Sequence, residues 1–229
     1  MKRSIVVIEM VVRDILRRRA VLGLLCLVPL AFYLARHDLA GQSVRFASLG
    51  LAWAISTAAL FSGNAGKAIE PRLRLSGFRA SVLYSGRFAA LLLVGWGVGV
   101  AYFVLITLDQ GHNLRRPAAL ALELAITVAI AVPVGLTISA LVPRDLEGML
   151  VLAALLGVQL LIDPARPVAK LLPFWSTREL TTYAIDPVDL SYVNKGLGHG
   201  LAVAFFLTAV TAALVTARLH QDRHIVRPG

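Results

Sequence analysis

A single cysteine, Cys26, in 229 residues excludes any disulfide within the chain. Histidine is scarce too: His37, His112, His199, His220 and His224 all fall in loops or at the ends of apolar runs. An intramembrane protease needs a Ser–His pair, paired aspartates or HExxH within its apolar segments. None of these occurs, and neither does GxSxG. His220 and His224 lie four apart in the basic tail, but no third ligand accompanies them to make a metal site. The segment GNAGK at Gly63–Lys67 fails as a phosphate-cradling loop. Only two residues separate its glycines, and Ala68 stands where Ser or Thr would bind magnesium. The outer-loop acids Asp163, Glu179, Asp186 and Asp189 show no metal-ligand spacing. The chain therefore lacks the parts for hydrolytic chemistry of its own, and we expect no enzyme and no bound cofactor.

Charged residues make up only 16% of the chain and hydrophobic ones 58%, against about 25% and about 45–50% in soluble domains. The apolar residues gather in six stretches, about 20–35, 46–62, 88–108, 118–142, 147–162 and 199–217. Six crossings would place both termini on one side. The basic residues then divide unevenly. One face would carry Lys2, Arg3, Arg13, Arg17, Arg18, Arg19, Lys67, Arg72, Arg74, Arg79, Arg87, Arg144, Arg218, Arg223 and Arg227. The other would carry Arg36, Arg45, Arg115, Arg116, Arg166, Lys170, Arg178 and Lys195. The richer face is the cytoplasmic one by the positive-inside rule. The net charge of +10 is thus a topology signal and no nucleic-acid footprint. The expected fold is an all-α integral membrane protein of the cytoplasmic membrane, with six transmembrane helices and both termini cytoplasmic.

Residues 1–19 precede the first apolar stretch and read as an amphipathic interfacial helix. Glu9, Arg13 and Arg17 recur every four residues among Ile5, Val6, Ile8, Val12, Ile15 and Leu16, a pattern suited to an anionic lipid surface. Residues 20–229 read as one transmembrane domain. Its longest cytoplasmic connection, about 63–87, is basic, with Pro71 placed to start a two-turn helix and Gly77 to end it. That helix, with Leu75, Phe78 and several arginines, is suited to docking a soluble partner or to serving as a solvated topogenic loop. Gly95 and Gly99 in the third span form a small-xxx-small pair for close helix packing or a dimer contact. Glu123 is the only acid deep in an apolar stretch, and is a candidate for the substrate path. The outer-face loop, about 163–198, mixes aromatics with four prolines. It is expected to form short helices that dip into the outer leaflet or pack over the bundle mouth.

The layout resembles the membrane permease subunit of a type 2 ABC transporter. The likeness is carried by the amphipathic N-terminal helix, the six spans, and the basic first cytoplasmic loop EPRLRLSGFRASVLYSGRFAALLL. The connection SALVPRDLEGMLVL and the aromatic outer segment LLPFWSTREL also look like small permeases of this kind. The resemblance implies that Glu70, Arg72, Arg74, Leu75, Phe78 and Arg79 contact a separate ATP-binding subunit, with Arg13 and Arg17 beside them. It further implies a second permease copy, as a homodimer or with a sister chain, and ATP and Mg bound only by the partner. Two other readings stand beside an exporter subunit. One is an ATP-independent secondary transporter or channel coupled through Glu123, although no internal repeat relates 1–114 to 115–229. The other is a non-transporting membrane anchor for a soluble partner.

Overall fold

The structure is a computed structural model and describes residues 2–163 and 166–225. Every regular element among them is helical: α1 (Lys2–Arg17), α2 (Arg19–Leu34), α3 (Ala40–Leu75), α4 (Ala80–Gln110), α5 (Pro117–Leu141), α6 (Asp145–Leu161), α7 (Trp175–Ile185) and α8 (Ser191–Ile225). Short 3-10 turns at Gly111–Asn113 and Pro167–Leu171 interrupt the connections. Each apolar stretch of the sequence lies within one helix.

Four helical segments are long and apolar enough to cross a membrane: Gly41–Leu75, Ala80–Asn113, Pro117–Leu141 and Ser191–Ala217. The expectation of six is reduced at α2 and α6, which have 16 and 17 residues. At 1.5 Å per residue these reach about 24–26 Å, short of a hydrocarbon core of about 30 Å. Extended backbone at Arg18 stops α2 at one end, and Arg144 and Ile162 bound α6 in the same way.

Side-chain hydrogen bonds fix the helix directions. On α3 and α5, Ser48 meets Glu123, Ser56 meets Ala131 and Asn64 meets Ser139, a constant offset of 75 residues. A constant offset means that the two helices run parallel, with contacts every eight residues, a little over two turns. Similarly, Tyr102 of α4 donates to the Cys26 carbonyl of α2, and Tyr33 of α2 donates to Asp109 of α4, both 76 apart. Thr137 and Thr211 pair α5 with α8 in parallel. Gln159 of α6 reaches the cavity walled by Gln42 and Arg45 of α3, while Gly148 packs on Leu60. α6 therefore runs against α3. The six helices α2–α6 and α8 alternate up and down.

α5 is the centre of the bundle. Its apolar window is 78% buried, against 11% for α8. Large apolar side chains face outward on α4, α6 and α8, among them Val100, Leu108, Leu150, Leu161, Phe205 and Phe206. Cys26 faces outward also.

Two glycines set how closely the core closes. A Cβ on Gly135 would overlap the Ser56 carbonyl oxygen, and one on Gly50 would stand 2.7 Å from the Pro29 Cα. The first holds the α3–α5 seam at backbone contact, the second the α2–α3 hairpin.

Candidate functional site

One end of the bundle carries α1, the α3–α4 turn and the α5–α6 turn; the opposite end carries α7. At the first end, α3 does not stop before Pro71. It runs unbroken for 36 residues, about 54 Å, so the separate two-turn helix expected from Pro71 is instead the last part of α3. A buried face accompanies the helix as far as residue 70. Gly63, Gly66 and Glu70 are all buried, at spacings of three and four, which is one side of a helix.

The end of α3 is closed as the sequence indicated, at Gly77. Its φ of 85° is the only positive one among the described residues. The Phe78 amide donates to the Leu73 carbonyl, and the Gly77 amide donates to Arg74. These are the two bonds of a Schellman motif. Leu73 and Phe78 both pack at the edge of the core, supplying the apolar contact that accompanies this cap. The resulting turn to α4 is only four residues long, from Ser76 to Arg79.

The residues implied in partner contact separate into two groups. Glu70 is turned inward, 5% exposed, lining a small cavity of about 30 Å³ with Lys67 and Arg87. The Arg87 guanidinium lies directly on Gly66, where a Cβ would displace it. Lys67 Nζ donates to Asn64 Oδ1 at 2.8 Å and to the Ser139 carbonyl, while Asn64 Nδ2 donates to Asp145 Oδ1 at 2.6 Å. This polar cluster ties α3 to the end of α5 and the start of α6. Glu70 is thus turned toward the interior of the bundle, away from the exposed side of the turn. Leu75 is 90% exposed, and Arg72 and Arg79 are exposed beside it, with Arg74 and Phe78 half-buried.

α1 lies against α4 through Val7, Val11 and Ile15, a buried stripe at spacing four. The close approach is at Gly86, where a Cβ would come within 2.7 Å of Val7 Cγ1. The polar face of α1 carries Arg13, paired to Glu9 at 2.5 Å, and Asp14, paired at 3.0 Å to Arg18 just beyond the helix. Arg17 is exposed. Both Arg13 and Arg17 therefore stand at the same end of the bundle as Leu75.

Glu123 lies six residues into α5, on the side facing α3. It is fully buried in the α3–α5 seam and is absent from the walls of the main cavities. Thr127 Oγ1 donates to one carboxyl oxygen at 2.9 Å, and Ser48 Oγ lies 2.9 Å from the other. Ser48 Oγ is also 3.0 Å from the Val44 carbonyl, and one hydroxyl proton cannot serve both fully. Gly95 is committed inside the chain, where a Cβ would meet Val128 at 2.6 Å; Gly99 faces Val128 and Leu124 at ordinary contact distance. This glycine pair packs α4 on α5.

At the α7 end, sequence reasoning missed what anchors the segment between α6 and α8. Arg116 Nη1 donates to the Tyr183 carbonyl at 2.7 Å and to the Asp186 carbonyl at 3.1 Å, and its Nη2 donates to Val188 at 3.2 Å. Its guanidinium also stacks 4.1 Å from the Tyr183 ring centroid. A cation placed on the last carbonyls of α7 is stabilised by the helix dipole as well. α7 buries Trp175, Ser176, Thr177, Leu180, Thr181 and Ala184, so of the two placements expected for this loop it takes the one over the bundle mouth. A second missed group joins Tyr33, His37 and Asp109, with His37 Nε2 2.8 Å from Asp109 Oδ2. Neither cluster has a sequence motif, because its members lie about 70 residues apart.

No group of three His, Cys, Asp or Glu residues able to hold a metal occurs among the described residues. The side chains of His220 and His224 lie outside those described. Compared with known proteins, the chain matches no family model and no curated protein.

Proposed function

We propose that this chain is the permease subunit of an ATP-binding-cassette exporter in the cytoplasmic membrane. Two copies, or one copy and a sister chain, would form the substrate path, and a separate subunit would bind ATP and Mg. The observation that carries the reading is the α3–α4 turn. A helix of about 54 Å projects past the bilayer-length part of the bundle and ends in a rigid, Gly77-closed turn with Leu75 and two arginines exposed. An exposed apolar side chain ringed by guanidinium groups on a stiff lever is what an ATPase groove needs in order to push on the membrane part.

The charge bias supports a cytoplasmic position for this end and for both termini. The up–down alternation of α2–α6 and α8 supports six crossings. The two short helices would span by local thinning and by snorkelling of Arg18, Arg19, Arg36 and Arg144. The enclosure of Glu123 weighs against a secondary transporter coupled through that carboxyl, because a coupling group must exchange protons with water. A passive anchor has no evident need for a 54 Å lever.

A photo-crosslinking amino acid at position 75 tests the reading in living cells. The expected product is a single adduct between this chain and an ATP-binding protein, lost when the crosslinker is moved to the outward-facing position 108. Adducts with lipid alone at position 75 would refute it.

A further inference from the structure

At the α7 end a half-open cavity of about 270 Å³ lies between the start of α3, the end of α6 and α7. Phe46, Leu49, Leu160 and Phe174 give it apolar walls, and the only charged residues lining it are Arg45 and Arg178. No acid lines the space among the described residues.

The polar groups around it are built in but incompletely satisfied. Arg45 is held by a bond from Nη2 to Thr182 Oγ1 at 3.0 Å and by Asp186 at 3.8 Å, yet its Nε is buried without a partner. Arg178 shows no hydrogen bond and no ion pair among the described residues, although Glu179 and Asp163 favour its charge. Burial and the neighbouring Arg45 both oppose the charge of Arg178. Trp175 is 7% exposed, and its indole N–H has no acceptor. Gln159 Oε1 is likewise unpaired.

A buried donor without an acceptor costs about as much as a lost hydrogen bond, and two like charges beside an apolar wall add repulsion. An anion between the arginines would relieve that repulsion and give Arg178 a partner. The shape supplies the rest, since the space beyond them is lined by hydrocarbon and suits an alkyl chain.

We propose that this cavity binds an anionic amphiphile, with a phosphate or carboxylate head held between Arg45 and Arg178 and an alkyl chain against Phe46, Leu49 and Leu160. The site does not depend on the exporter reading. Its ligand would be either an anionic lipid of the surrounding leaflet or a solute of the same chemistry, and the two sources can be separated.

The test uses the full chain in a neutral detergent, with dodecyl phosphate, dodecylphosphocholine and inorganic phosphate as probes. One dodecyl phosphate should bind per chain, with dodecylphosphocholine at least about tenfold weaker, because losing one charge-assisted hydrogen bond weakens binding roughly 10- to 100-fold. Arg178→Gln should weaken dodecyl phosphate by that factor. Leu160→Trp should block the chain-binding half while leaving both arginines in place, so loss in both variants, with unchanged melting, points to the cavity. Inorganic phosphate should bind far more weakly than dodecyl phosphate. Equal affinity in wild type and both variants, or equal affinity for the zwitterionic probe, overturns the proposal. In nanodiscs, competition by phosphatidylglycerol but not by phosphatidylcholine assigns the site to a leaflet lipid. Undiminished dodecyl phosphate binding in both bilayers assigns it to a solute.

Discussion

Replacing Gly135 by alanine should damage this bundle more than any other single methyl group added at a helical glycine. The new Cβ would overlap the Ser56 carbonyl oxygen and stand 2.7 Å from the Ala59 Cβ and 2.9 Å from the Ser56 carbonyl carbon. Two of these three atoms are backbone, so no rotamer change relieves the clash and the parallel seam of α3 and α5 must open. Overpacking of this kind costs typically 1–3 kcal/mol. Opening the seam also stretches the Ser56–Ala131 and Ser48–Glu123 bonds, each worth on average about 0.6 kcal/mol inside a membrane bundle. The better helix propensity of alanine returns up to about 1 kcal/mol. The net expectation is a loss of about 1–3 kcal/mol. Thermal unfolding in detergent would read it, with Gly97→Ala and Gly157→Ala as controls because nothing lies within 4 Å of their added carbons. Adding Ala59→Gly should not rescue Gly135→Ala, since the Ser56 backbone remains. If Gly135→Ala melts with the two controls, the close parallel seam is wrong.

Three further outcomes follow from other parts of the molecule. Glu123→Gln keeps a side chain of the same shape for Ser48 and Thr127, so under the proposed exporter reading ATP-driven export should stay within about twofold; abolished transport with unchanged melting would favour a coupling carboxyl. Arg116→Ala removes three bonds to carbonyls at the end of α7 together with the stacking on Tyr183. With charge-assisted bonds worth about 1.5–3 kcal/mol each before relaxation, amide exchange across 177–190 should accelerate at least about tenfold while α3 and α5 stay protected. Uniform exchange would show that the clamp is not local. Gly77→Ala forces a β-carbon into the left-handed region at a cost of about 1–2 kcal/mol. It should uncouple transport from ATP hydrolysis more than it lowers the melting temperature, and unaltered coupling would remove the rigid turn from the mechanism.

The apolar stretches were plain in the sequence because each lies within a single helix, and Gly77 was legible because only glycine takes the αL position of a Schellman cap without strain. Pro71 misled, since a proline that commonly opens a helix here lies inside one. Just ahead of it, α3 is held by the buried side formed by Gly63, Gly66 and Glu70, which is visible only once α4 and α5 are packed against it. Glu70 looked like a surface acid for the same reason. The 75-residue offset between α3 and α5 has no local signature at all. It arises because α4, running the other way, returns the chain to the same end before α5 begins. The cavity at Arg45 and Arg178 was equally hidden, as its walls come from segments more than 100 residues apart.

The most direct test is to purify the tagged chain with the products of its neighbouring genes and to measure the mass and ATPase activity of what co-elutes. The exporter reading requires a stable complex of two membrane chains with two ATP-binding subunits, whose hydrolysis falls when Leu75→Glu disrupts the exposed turn. A folded chain that elutes with no ATP-binding partner, and stimulates no hydrolysis when one is supplied, would contradict it.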